Sequence, residues 1–150
     1  LEARGRRRLG ERHARVSCII IDSDRFKQVN DSFGNQAGDA VLKELGALCR
    51  GLLRDVDLVC RYGGEEIVAV LPGADLEAAR EAAERIRLSV QPMRIPGYPE
   101  LSITISAGCA SVEPPACSDG STELRRLIAL ADTALYRAKS KGRNRVVAET

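Results

Sequence analysis

Two rhythms of apolar residues run along this chain, one alternating or unbroken, the other repeating near 3.6. Residues 16–21 form an apolar run that ends at Asp22, which predicts a central strand buried on both faces. From Asp39 onward Val41, Leu42, Leu45, Leu48, Cys49 and Leu52 fall on one side of a helix. Apolar stretches near 56–62 and 66–71 flank Gly63-Gly64 and read as a β-hairpin, with Glu65 and Glu66 opening the returning strand. Pro72-Gly73 marks a turn, and Asp75 caps a helix carrying Leu76, Ala79, Ala83, Ile86 and Val90. Residues 91–100 hold three prolines and a glycine and read as loop. Leucine and isoleucine then alternate with serine and threonine over 101–110, a strand signal. After a loop at 114–121, a last helix carries Leu124, Leu127, Ile128, Ala131, Leu135 and Ala138 and stops near Gly142. Residues 146–148 close the chain as a short strand, and the arginine-rich residues 1–14 read as a leading helix.

The resulting order, β-α-β-β-α-β followed by a helix and a strand, predicts an α+β fold, an α/β sandwich. Its core is a ferredoxin-like split βαβ unit with a mostly antiparallel central sheet. A length of 150 residues fits one domain over 1–150. With 44% hydrophobic and 29% charged residues the composition is that of a soluble globular protein. A net charge of +2 offers no broad surface for nucleic acid or membrane. No apolar run has the length of a membrane span, and no signal-peptide pattern precedes the folded part. The five cysteines, Cys18, Cys49, Cys60, Cys109 and Cys117, are odd in number and lack C-x-x-C spacing. Reduced thiols in a cytoplasmic setting are expected, with neither a disulfide frame nor a zinc site. His13, the one histidine, lies among arginines and is given no catalytic role.

The candidate chemistry concentrates around the hairpin. In the expected sheet the first strand lies beside it, so Asp22 and Glu65 stand at adjacent strand ends. Two carboxylates there suit Mg²⁺, which takes its remaining ligands from phosphates and water. Lys27 and the backbone N–H groups after Phe26 open a helical turn that can cradle phosphate. Asn30 and Asp39 offer the acceptors and donors that read a base edge. Lys139 and Arg143 add positive charge after the last helix. Taken singly, each of these residues is better explained as a cap, a helix-end charge or a solvated side chain. Their joint spacing is not.

Four ordered blocks carry a resemblance. They are Asp22-Ser23-Asp24-Arg25-Phe26-Lys27-Gln28-Val29-Asn30-Asp31, Gly34 to Asp39, Arg61-Tyr62-Gly63-Gly64-Glu65-Glu66-Ile67, and Ala131 to Lys139 with Gly142-Arg143-Asn144. Together they resemble the GGDEF family of diguanylate cyclases across almost the whole chain. The resemblance implies condensation of two GTP into cyclic di-GMP by a symmetric homodimer. By it, Asp22, the carbonyl of Ser23 and Glu65 hold Mg²⁺, or Mn²⁺ in its place. Gly63 and Gly64 let GTP approach, and Asn30 and Asp39 recognise guanine. Phe26, Lys27, Lys139 and Arg143 bind the triphosphate, while Glu66 assists the metal or takes the 3′-hydroxyl proton. An inhibitory R-x-x-D site for the product falls on Arg54 and Asp57, with Arg85 beside it. On spacing alone that pair reads as a surface ion pair worth at most about 1 kcal/mol. Ile67 and Asn35 depart from the usual Phe and His, and the family's segment preceding the domain is missing. A rival reading is a catalytically weak module that binds GTP or cyclic di-GMP as a sensor.

Overall fold

The computed structural model describes residues 15–113 and 119–149. The leading arginine-rich stretch, with His13, and Cys117 lie outside them. In chain order the elements are β1 (Val16–Ser23), α1 (Phe26–Phe33), α2 (Asn35–Leu52), β2 (Leu58–Tyr62) and β3 (Glu66–Pro72). They continue with α3 (Leu76–Val90), β4 (Ile105–Val112), α4 (Gly120–Ser140) and β5 (Val146–Glu149). The sheet order is β2-β3-β1-β4-β5. All neighbours are antiparallel except the parallel pair β4–β5. This is the expected split βαβ unit with its added helix and strand.

β1 sits in the middle of the sheet, and its period-two alternation distributes its side chains between two layers. Ile19 and Ile21 join Val41, Leu45 and Cys49 of α2 and Ala79, Ala83 and Ile86 of α3 in one core. Cys18 and Ile20 join Leu127, Ala131 and Leu135 of α4 in the other. Each isoleucine is fully or almost fully buried, which contributes roughly 1.5–3 kcal/mol apiece. α4 lies so close on β4 that a Cβ at Gly108 would run into the helix backbone at Ala131, Ala134 and Leu135.

Several boundaries differ from the sequence expectation. The stretch after Phe26 is a full helix, α1, and α2 begins at Asn35 rather than Asp39. β4 starts at Ile105 instead of Leu101 and runs to Val112. Residues 101–104 alternate in burial but stop short of the β1 ladder, whose register with β4 ends at Ser23 and Ile105. α4 begins at Gly120, where Asp119 caps it by accepting from the Ser121 N–H at 3.1 Å. Cys60 is exposed, unlike buried Cys18, Cys49 and Cys109. It lies on β2, the edge strand of the sheet.

Candidate active site at the hairpin

The alternation that sends Cys18 and Ile20 toward α4 sends Asp22 the same way. In the β1–β3 register Asp22 lies directly across from Glu66, so both carboxylates face one side of the sheet. The β2–β3 register pairs Tyr62 with Glu66. Gly63, Gly64 and Glu65 therefore form the turn, and Glu65 does not open the strand as expected. Gly63 takes the left-handed conformation, φ +73°, that a tight tip requires. Arg61 closes the tip by donating from Nη2 to the Gly64 carbonyl at 3.0 Å. Glu65 still comes within hydrogen-bonding reach of Asp22. The hairpin thus brings two carboxylates to Asp22, one by register and one by turn geometry.

Asp22 is 2% exposed. Its Oδ2 pairs with the Lys139 ammonium of α4, and its Oδ1 is buried with no hydrogen-bond partner among the described residues. Burial pushes the Asp22 carboxyl above the usual carboxylate range, and Lys139 works against that rise. Glu65 and Glu66 are raised too, first by burial and then by the charge of Asp22. Asp132 of α4 adds to the rise at Glu66. Crowded carboxylates with an unpartnered buried oxygen are the donor set a hard divalent cation fits. Among the described residues no three His, Cys, Asp or Glu side chains form a complete metal cage. The set therefore suits an ion that takes much of its shell from phosphate and water.

α1 and α2 build the second part of the site. Arg25, left-handed at φ 57°, turns the chain from β1 into α1. Phe26 and Asn30 then face Gly38 of α2. A Cβ at Gly38 would meet Phe26 Cζ at 2.8 Å and collide with the Asn30 side chain. The Asn30 Oδ1 is buried and has no hydrogen-bond partner among the described residues. Asp39 and Lys27 are exposed beside this cradle. The Asn30 amide, which can both donate and accept, and the acceptor-only Asp39 carboxylate together complement a ligand edge that both donates and accepts.

A third part is the loop after α4. Arg143 and Asn144 are both left-handed, at φ 64° and 48°. Asp24, 7% exposed, accepts from the Asn144 N–H at 3.0 Å. The same carboxylate accepts from the Thr104 and Ser106 hydroxyls, each at 2.6 Å. Sequence reasoning assigned Asp24 no part. The available signal was its spacing of two from Asp22 at a strand end.

Arg54, Asp57 and Arg85 line a separate cleft of about 340 Å³. Arg54 donates from Nη2 to the Pro72 carbonyl at 2.8 Å, at the opposite end of β3 from the hairpin. Seven residues of strand place the two sites about 20 Å apart. The pair is only half a surface ion pair, because Arg54 is about half exposed while its partner is buried. The Asp57 side chain is 1% exposed. It accepts from Arg54 Nε at 3.1 Å, Nη2 at 2.6 Å and the backbone N–H at 2.8 Å. Asp57 is thus committed to Arg54 and does not stand as a free second wall of the cleft.

The fold and these parts define a class: a split βαβ domain whose strand end and glycine hairpin gather carboxylates beside a lysine. The sequence model described as "Diguanylate cyclase, GGDEF domain" matches residues 2–145. The chain belongs to the GGDEF family. It is 44% identical over 132 residues to diguanylate cyclase DgcM of Escherichia coli, covering 88% of this chain and 30% of that protein. It is 42% identical over 135 residues to response regulator PleD of Caulobacter vibrioides, covering 88% and 29%. This chain thus spans about a third of the curated relatives it matches. The active GGEEF domain of a diguanylate cyclase from Vibrio cholerae superposes with a TM-score of 0.80 at 35% identity, covering 99% of this chain and 89% of that one. The GGDEF domain of DgcB from Caulobacter crescentus, in complex with c-di-GMP, gives 0.75 at 30% identity, covering 89% and 77%. No helix among the described residues is long and apolar enough to cross a membrane.

Proposed function

We propose that this domain is a diguanylate cyclase that condenses two GTP into cyclic di-GMP and two pyrophosphates across a homodimer. The observation that carries the reading is the gathering of Asp22, Glu65 and Glu66 with Lys139 at the glycine hairpin of a GGDEF-family fold. Asn30 and Asp39 would recognise guanine, a reading supported by the Asn30 amide oxygen, which lies beside Gly38 with no hydrogen-bond partner among the described residues. Phe26, Lys27, Lys139 and Arg143 would position the triphosphate, with Gly63 and Gly64 leaving room at the turn. Asp22, the Ser23 carbonyl and Glu65 would hold Mg²⁺, or Mn²⁺ in its place. When bound, such an ion neutralises phosphate charge and makes a coordinated hydroxyl more acidic.

The 3′-oxygen of one GTP attacks the α-phosphorus of the other, forming a P–O bond as the α–β bond breaks and pyrophosphate leaves. Glu66, across from Asp22, can take the hydroxyl proton or complete the cation site. One domain presents one nucleotide, so two must face each other with two-fold symmetry. The protein's own share is orientation and charge stabilisation. Product would bind in the distant cleft, with Asp57 holding the Arg54 fork in place and Arg85 opposite it on α3. Because that cleft is separate from the hairpin, inhibition there would be allosteric.

Incubation with GTP and Mg²⁺ followed by mass identification of products tests the reading. Cyclic di-GMP and pyrophosphate are expected, and Glu65→Gln should abolish both while leaving the circular-dichroism spectrum unchanged. A folded wild-type protein that binds GTP and forms no product would replace this reading with that of a nucleotide sensor.

A further inference from the structure

We infer that Asp24 is a positioning residue that fixes the backbone from which Arg143 projects. The inference rests on the proposed role of Arg143 at the triphosphate. Asp24 follows β1 immediately, two residues after Asp22. Its own N–H donates to the Thr104 carbonyl at 2.9 Å, which ties it to the segment leading into β4. Its side chain then takes three donors. Oδ1 accepts from Ser106, and Oδ2 accepts from Thr104 and from the Asn144 N–H. One buried carboxylate thereby joins the end of β1, the entry to β4 and the loop after α4, which lies 120 positions along the chain.

That loop needs such a hold. Two successive non-glycine residues in the left-handed region are an uncommon backbone conformation, less costly for asparagine than for arginine. The conformation persists because each side of it is anchored. The Arg143 N–H donates to the Ala138 carbonyl at 3.0 Å. The Asn144 amide oxygen accepts from Arg87 of α3 at 3.1 Å and from Gln91, just past the end of α3, at 3.3 Å. Asp24 supplies the anchor on the side of the carboxylate site. It also fixes the loop to the strand end that carries Asp22, so Arg143 and the Asp22 site move as one body. Asp24 itself touches no reacting atom in this arrangement, since its oxygens are occupied by protein donors.

The chemistry predicts which substitutions matter. In Asp24→Ala the Asn144 N–H and both hydroxyls lose their acceptor. In Asp24→Asn the amide oxygen can still accept from Asn144 and Thr104, while the Ser106 hydroxyl turns to accept from the new NH₂. Asparagine should therefore rescue what alanine removes.

The test has two measurements, made on the folded protein with wild type, Asp24→Ala, Asp24→Asn, Arg143→Ala and the Asp24→Ala/Arg143→Ala double variant. Hydrogen exchange of the peptide spanning residues 141–147 should quicken at least about fivefold in Asp24→Ala and stay near wild type in Asp24→Asn. Calorimetric affinity for GTP with a methylene bridge between its α and β phosphorus atoms, in Mg²⁺, should fall about tenfold in Asp24→Ala, as for loss of a well-aimed charged contact. In the Arg143→Ala background the same change should cost less than about twofold, because the contact it aims is already gone. Unchanged exchange in Asp24→Ala, or equal losses of affinity in both backgrounds, would overturn the inference. Arg143→Ala binding the analogue as well as wild type would overturn the phosphate reading beneath it, and the inference with it. Should Asp24→Ala not fold, Asp24→Glu, which displaces the oxygens by one methylene, carries the same test.

Discussion

Glu66 shows how one residue's surroundings set its behaviour. It faces Asp22 across the ladder and feels Asp132 from α4, and its carboxyl is raised by burial first and these charges second. A group raised in the folded state stabilises fully below its unfolded value, about 4.3 for glutamate. That contribution is lost as pH rises through the raised folded value. Glu66→Gln escapes the loss. With chelator present, the variant should melt roughly 1–3 °C above wild type at pH 7, allowing for solvent screening, and the gap should close near pH 4. Thermal unfolding across that range checks the sign, and a variant less stable at pH 7 would refute it. Ile67, next in sequence, is 3% exposed and packs in the core shared with α2 and α3. Its replacement of the usual Phe is therefore a packing change on the opposite face from the carboxylates.

At the scale of elements, two contacts stand out because neither partner can yield. The first is α4 against β4. Gly108 gives the helix backbone its close approach, so Gly108→Ala must push α4 outward and should cost about 3 kcal/mol in denaturant unfolding. As Lys139 and Arg143 ride on α4 and its following loop, nucleotide affinity should fall in the same variant. The second is the turn between α2 and β2. Arg54→Ala leaves the buried Asp57 carboxylate with the Arg54 backbone N–H and no side-chain donor from residue 54. A loss of about 1–3 kcal/mol is expected, above the about 1 kcal/mol ceiling of an exposed pair. The variant should also bind cyclic di-GMP more weakly. A stability change under about 0.5 kcal/mol in urea unfolding would contradict the view that the buried Asp57 carboxylate depends on the Arg54 side chain.

The whole molecule is two helical layers on one sheet, and its thiols report that layering. Burial pushes Cys18, Cys49 and Cys109 each up to about 12, whereas Cys60 lies exposed on the edge strand. A thiolate is the reactive form. In a Cys117→Ser background the native protein should therefore titrate one thiol rapidly with an aromatic disulfide reagent. The other three should appear in a single step on unfolding. Release of a second thiol before the main transition would show that one layer opens independently.

Apart from α1, which the sequence showed only as a helical turn after Phe26, the element types, the hairpin and the motif blocks were legible in the sequence alone. Each depends on neighbours within a few positions: apolar spacing, Gly63 at a tip, Asp75 before a helix. The sequence also placed Asp22 at the end of a central strand, because an apolar run broken only by Ser17 has no solvent face to offer. Which carboxylate stands opposite Asp22 is a matter of strand pairing. Register fixed Glu66 there and left Glu65 in the turn, since sliding a strand by one residue reverses every side chain. Tertiary packing likewise buried Asp57 under Arg54, and brought Lys139 to Asp22 and Asn144 to Asp24 across 117 and 120 positions. The last two pairings follow from how α4 settles on the sheet at Gly108. That fit is a property of the assembled layers, and no local stretch of sequence contains it.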